Sequence, residues 1–301
     1  MSLLVTGSIG IDTIETPAGC AADVLGGSAV YFSLAAALFT KVRLVGVVGE
    51  DFDPAALRPL ADKGVDLSGV EVRRGSKTFR WHGSYAGAMN EAQTVGVQLN
   101  VLAERGATLP AAFADSRFVF LANTHPALQR EFAERLARAD LIVCDTMNLW
   151  IESEPAELRR TLAVVHGLVL NEGEARLLTG KANLVSAGRD ILKLGPRFVV
   201  IKKGEHGSLL VAHDDLCLMP AYPTENVVDP TGCGDSFAGG MIGYLAAQGR
   251  VTRQTLRGAI ARGTVVASFV LESFSIDALA RRTAADVEAR LATLREMGQF
   301  A

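Results

Sequence analysis

The chain has 301 residues, 49% of them hydrophobic and 21% charged. This is ordinary globular composition, and the length suffices for a sizeable core. Thirty basic residues against 33 acidic ones give a net charge of −3, which leaves no basic excess for nucleic acid or an anionic membrane. The longest apolar stretch, residues 29–39, is interrupted by Ser33 and falls short of the ~20 residues of a spanning helix.

The opening Met1-Ser-Leu-Leu-Val lacks the positive start of a secretory leader. No Asn-x-Ser/Thr sequon occurs. The cysteines, Cys20, Cys144, Cys217 and Cys233, are scattered without CxxC spacing, which opposes a zinc site or a disulfide framework. The expectation is a soluble, reduced, cytoplasmic protein.

In chain order, residues 3–9 read as a buried strand, 29–39 as a helix, 42–48 as a strand and 55–63 as a helix. Strands over 118–122, 141–144, 168–170 and 198–201 then alternate with helices over 127–139, 156–164 and 172–179. From about Ser236 onward the pattern is mostly helical. The strands are near-continuous in Val, Ile, Leu and Phe, as strands covered on both faces are. Such alternation predicts an α/β fold: a doubly wound, mostly parallel sheet with helices on both faces. Residues 70–99 break the rhythm. Phe79 and Trp81 share one face there, and Val95, Val97 and Leu99 share another, a period-two pattern of hairpins. The chain reads as one domain, 1–301, with a small β lid formed by about 11–25 and 70–99.

The most specific local signal is Asp229-Pro-Thr-Gly-Cys-Gly-Asp-Ser-Phe-Ala-Gly-Gly240. A Gly-rich turn opening a helix leaves unpaired backbone N–H groups pointing outward, a ready site for an anion. Asp235 fits two readings: a first-turn acid favourable with the helix dipole, or a base that takes a hydroxyl proton while the turn meets the charge of a moving phosphoryl group. On either reading the helix start is expected to keep it ionised and only modestly basic. Competing nucleotide motifs are absent. There is no GxxxxGK[ST], and Gly7-Ser-Ile-Gly10 does not complete GxGxxG.

Asp229-Pro-Thr-Gly-Cys-Gly-Asp235 closely resembles the D-[TP]-x-[GA]-A-G-D signature of the ribokinase-like, phosphofructokinase-B-type carbohydrate kinases. Further matches follow in order: Gly7-Ser-Ile-Gly-Ile-Asp12, Gly26-Gly27 before a helix, Gly46-Val-Val-Gly-Glu-Asp51, Asn171-Glu-Gly-Glu174 and Lys202-Lys-Gly-Glu-His-Gly207. The resemblance spans nearly the whole chain. It implies an ATP-dependent phosphotransferase acting on a primary hydroxyl of a sugar or sugar-containing molecule. Asp235 would be the base, and the N–H groups of Gly232, Cys233 and Gly234 the anion hole. Glu174 with Asn171 would organise Mg²⁺. Lys202, Gly204 and Gly207 would hold the nucleotide, while Asp12, Gly26 and Gly27 would bind substrate hydroxyls. Asp229 and Thr231 would match a K⁺ site found in many members.

Departures bear on the acceptor. Gly10 and Tyr31 stand where ribokinase itself carries polar sugar ligands, and loss of paired polar contacts opposes plain ribose. Phe79, Trp81 and Tyr85 offer aromatic faces that suit a base, or that pack the lid. A nucleoside kinase of the same family is therefore the alternative to a sugar kinase. A catalytically inactive nucleotide-binding protein is a third reading, opposed by the intact Asp235. Cys233 replaces the usual Ala, and a thiol at a helix start is expected to have a lowered pKa and to react readily. Expected partners are a sugar or nucleoside substrate and, as relatives do, a second copy through the lid; no nucleic acid and no membrane is expected.

Overall fold

The computed structural model describes residues 2–299. Its large sheet has nine strands: β1 (Leu3–Thr6), β4 (Val42–Gly49), β5 (Asp66–Arg73), β8 (Phe118–Leu121), β9 (Leu141–Asp145), β10 (Gly167–Asn171), β11 (Phe198–Lys202), β12 (Ser208–Ala212) and β13 (Asp215–Met219). The order is β13-β12-β11-β10-β9-β8-β1-β4-β5. All neighbours pair in parallel except β11–β12 and β12–β13, which form an antiparallel edge. Alternate residues of each strand point to opposite faces, so both faces carry a core. Leu3 and Val5 pack beneath the helices Ser28–Ala37, Cys233–Gln248 and Arg253–Val270. Leu4, Val119 and Leu121 pack beneath Pro126–Arg135, Pro155–Leu162 and Leu184–Leu192. The doubly wound α/β expectation is borne out.

A second sheet joins β2 (Gly10–Thr16), β3 (Gly19–Gly26), β6 (Phe79–Ser84) and β7 (Gln93–Gln98) in the order β3-β2-β6-β7. The expected lid boundary at residue 70 differs from what the structure shows. Residues 70–73 lie in β5 and pair with β4 of the large sheet, so only the part from Phe79 onward enters the small sheet. Strand-like patterning there is the same whichever sheet receives it.

Two helices fix the site. Ser28–Ala37 and Cys233–Gln248 pack so closely that a Cβ at Gly239 or Gly243 would run into the backbone of Phe32 or Ala36. Their N-termini are thereby brought together at one end of the sheet. No helix among the described residues is long and apolar enough to cross a membrane.

Candidate active site

The site lies outside the C-terminal ends of the parallel strands, where open α/β sheets present their crevice. The turn after β1 is tied to the first helix by reciprocal bonds: Ser28 N–H donates to Ser8 Oγ (2.9 Å) and Ser8 N–H to Ser28 Oγ (3.2 Å). Asp12 on β2 is 4% exposed and its Oδ1 has no partner among the described residues. A Cβ at Gly26 would fall inside the Asp12 carboxylate, so only glycine fits there. Burial, with Asp229 and Asp235 nearby, raises the Asp12 pKa to about 7, opposed by the Gly27 N–H it accepts.

The turn before helix Cys233–Gln248 has Gly232 at φ 75°, a left-handed conformation that glycine adopts without strain. It lies flat on the Tyr31 ring, which a Cβ would penetrate. Tyr31 is 1% exposed, its ring packed under the turn and its Oη, like Asp12 Oδ1, without a hydrogen-bond partner among the described residues. The Cys233 N–H is spent on the Pro230 carbonyl at 3.1 Å. The amides of Gly232 and Gly234 have no protein acceptor among the described residues. The anion hole expected from three amides therefore has two of them free.

Asp229 is wholly buried and accepts the N–H groups of Thr231 (2.8 Å) and Ser275 (2.9 Å). Ser275, at φ 55°, also donates its hydroxyl to Leu25 O at 2.6 Å. It thereby links the glycine pair of the acceptor side to the phosphate turn. Each Asp229 oxygen accepts one of these N–H groups, and the Thr231 hydroxyl donates to Tyr85 Oη; no step is routed through a K⁺ here.

Burial raises Asp235 to about 6, with Lys202 opposing the rise. It is thus a stronger base than its helix-start position suggested. Lys202 ends β11 and sets its Nζ against Gly234, 2.7 Å from where a Cβ would stand. Asn171 and Glu174 form a capping box: Glu174 N–H donates to Asn171 Oδ1 (2.8 Å) and Asn171 N–H to Glu174 Oε2 (2.7 Å). Both the structural and the functional reading of this pair therefore share one geometry. Sequence reasoning missed Asp145. It ends β9 at 6% exposure with Oδ1 unpartnered. Burial lifts its pKa far up, the Asp235 carboxylate lifts it further, and Lys202 pulls it down. A lone carboxylate closing the apolar run Leu141-Ile-Val-Cys-Asp145 was its signal. Among the described residues no three His, Cys, Asp or Glu side chains form a metal cage. Asp145 and Glu174 instead fit a cation that keeps its waters and leans on phosphate oxygens, as Mg²⁺ does.

Cys233 corrects an expectation. Burial raises its thiol pKa, and the Asp229 and Asp235 carboxylates raise it further, with only Lys202 opposing. Its Sγ faces the Ala267 carbonyl at 3.5 Å.

The small sheet overlies this crevice. Asp12 pairs directly with Trp81, and Gly10 with Phe79, so both rings share the face of the carboxylate. The Trp81 ring lies across Gly83 and the Phe79 ring across Gly10. Trp81 Nε1 donates to Thr94 Oγ1 at 3.2 Å. Between β6 and β7, Asn90 reaches the turn after β11, where its amide bonds Glu205 Oε1 (2.9 Å) and accepts Glu205 N–H (3.3 Å). Gly204 lies beneath it, and Gly207 closes the β11–β12 turn against the Met219 carbonyl.

A half-buried carboxylate at a turn with two free amides and a lysine beside it lets a hydroxyl lose a proton where a phosphoryl group's charge is met, the layout of a phosphotransferase. Residues 14–281 match the model of the pfkB family carbohydrate kinases, and the chain belongs to that family. It is an ATP-dependent kinase with an alcohol acceptor, a sugar or sugar-containing molecule. A cytidine kinase from Thermococcus kodakarensis is 32% identical over 267 residues, covering 85% of this chain and 92% of the relative. Solved structures that share the fold include a nucleoside kinase and a ribokinase. A Burkholderia thailandensis nucleoside kinase in complex with inosine has TM-score 0.75 and 20% identity, covering 97% of this chain and 98% of that one. An Arabidopsis thaliana ribokinase complexed with ribose and ATP has TM-score 0.77 and 19% identity, covering 96% and 98%.

Proposed function

We propose that the acceptor is a nucleoside and that the hydroxyl phosphorylated is the primary one of its sugar. The observation that carries this is the direct pairing of Asp12 with Trp81. A carboxylate that would accept sugar hydroxyls shares a face of the small sheet with an indole tied to Thr94, and a nucleoside presents a group for each. The 32% identity to a cytidine kinase supports the same reading.

Asp235 takes the proton of the hydroxyl as its oxygen bonds to the γ-phosphorus of ATP. The bond from that phosphorus to the bridging oxygen breaks, and ADP leaves. The Gly232 and Gly234 amides meet the charge on the equatorial oxygens. Lys202 faces the same oxygens. Mg²⁺, when bound, neutralises the phosphate oxygens. Asp145 and Glu174 would hold it through water. The small sheet acts as a lid that excludes water and so suppresses idle ATP hydrolysis. Val95 and Val97, 58% and 53% exposed on edge strand β7, support pairing of two copies there.

The test is ADP release with Mg·ATP across nucleosides and free sugars, for the native chain and Trp81→Ala. Nucleosides turn over, and the variant raises their KM roughly 5- to 150-fold, the worth of one stacked base. Turnover on free ketoses or aldoses alone, or a Trp81→Ala enzyme with native nucleoside KM, removes the reading.

A further inference from the structure

A second cavity, of about 230 Å³, opens at the other end of the large sheet, where β9, β10 and β11 begin. Five-residue strands separate it from Asp145, Asn171 and Lys202, a span of about 13 Å at the usual rise per residue. It shares no side chain with the active site.

The floor is apolar, made by Leu141, Phe198 and Leu256, and the rim carries His166, Arg197 and Arg253. The charges around it are unequal. Asp140 is also on the rim, but its carboxylate is already held by Arg117. Arg253 leans on Asp215 at 3.6 Å, an acid that Arg257 also holds. Arg197 has no acidic partner among the described residues. His166 accepts the Ile142 N–H at Nδ1 (2.9 Å), so the neutral ring carries its proton on Nε2 and presents a donor. Burial, with Arg197 beside it, holds its pKa below the usual value, which keeps that tautomer at neutral pH.

The rim thus offers the Arg197 guanidinium, an imidazole N–H and the remaining donors of Arg253, which also donates to the Asp214 carbonyl. The N-terminus of the 18-residue helix Arg253–Val270 opens at the same rim and adds to the positive potential. A planar carboxylate satisfies one fork; three separate donors match the three terminal oxygens of a phosphate. The apolar floor asks for a body attached to it.

We propose that this cavity binds a small phosphomonoester with an apolar or aromatic body, the chemical class of the kinase's own product. The headgroup takes Arg197, His166 Nε2 and Arg253, and the body covers Leu141, Phe198 and Leu256. Bound there, it would stabilise the native chain by mass action without competing with ATP.

The test is an NMR titration of the full chain that follows the His166 Cε1–H signal, assigned with His166→Gln. The probes are phenyl phosphate, inorganic phosphate and phenol. Phenyl phosphate shifts the signal saturably and binds about tenfold more tightly than inorganic phosphate, while phenol does not move it. Arg197→Ala weakens phenyl phosphate about tenfold and leaves turnover without it unchanged. Asp235→Asn abolishes turnover but keeps the shift. An unmoved His166 signal overturns the proposal. So does an unchanged affinity in Arg197→Ala, equal binding of inorganic phosphate, or loss of the shift in Asp235→Asn.

Discussion

Thr231 Oγ1 donates to Tyr85 Oη at 3.2 Å, joining the turn before helix Cys233–Gln248 to the end of the small sheet. Thr16 makes a second tie, from its hydroxyl to Val228 O at 2.8 Å. The small sheet is therefore fastened to the phosphate turn itself, not only to the helices around it. Tyr85→Phe removes one bond, worth about 1 kcal/mol, and loosens closure. ADP formed without phosphorylated acceptor should rise about fivefold relative to coupled transfer. Parallel assays of ADP and product check this, and an unchanged ratio means the bond does not govern closure.

The pH dependence follows from two desolvated acids. Burial raises Asp235 to about 6 and Asp12 to about 7. A base must be unprotonated to accept, so activity is lost as pH falls through these values. The acid limb of kcat/KM should lie between about pH 6 and 7, not near the ordinary carboxylate value of about 4. Asp235→Asn should cost about 10²–10⁴-fold in turnover while ADP binding, measured by calorimetry, stays native.

The same shifts bear on stability. Between the unfolded value near 4 and the folded values, the native chain binds more protons than the unfolded one. Stability is then fully present below about pH 4 and is lost as pH rises through 6 to 7. Asp235→Asn, which removes the desolvated charge, should raise Tm at pH 8 by about 2–4 °C. Thermal scans at pH 8 and pH 5 test it: the gain should be largest at pH 8.

Cys233 should be slow to alkylate, because burial and two carboxylates keep its thiol protonated. Exposed Cys20 should take up iodoacetamide first, with full activity retained after one label, as mass spectrometry of the labelled chain would show. Early labelling at Cys233 with loss of turnover would restore the opposite expectation, drawn from its helix-start position.

Turnover should be the same in K⁺ and in tetramethylammonium buffers, because Asp229 bridges Thr231 and Ser275 by direct hydrogen bonds. A K⁺-dependent rise in kcat would show that those bonds give way to a cation.

The turn from Asp229 to Asp235 was legible because its whole geometry lies within seven consecutive residues, and a Gly-rich turn at a helix start has few alternatives. The parallel sheet was legible from its uninterrupted apolar strands. Asn90 and Ser275 were not, since each acts on a partner far away in sequence: Asn90 meets Glu205 and Ser275 meets Asp229. The boundary at β5 failed because strand patterning reports pleat and burial, not which sheet receives the strand. Cys233 failed because a helix dipole can be read locally, while desolvation depends on everything packed around the thiol.

The small sheet consists of two hairpins, β2–β3 and β6–β7, each closed over a short loop. They join only through the parallel pairing of β2 with β6, between which β4 and β5 of the large sheet intervene. Closing that distance early is entropically slow. The two hairpins should therefore come into register once the large sheet has assembled, and the small sheet is expected to protect its amides from exchange less than the large one does.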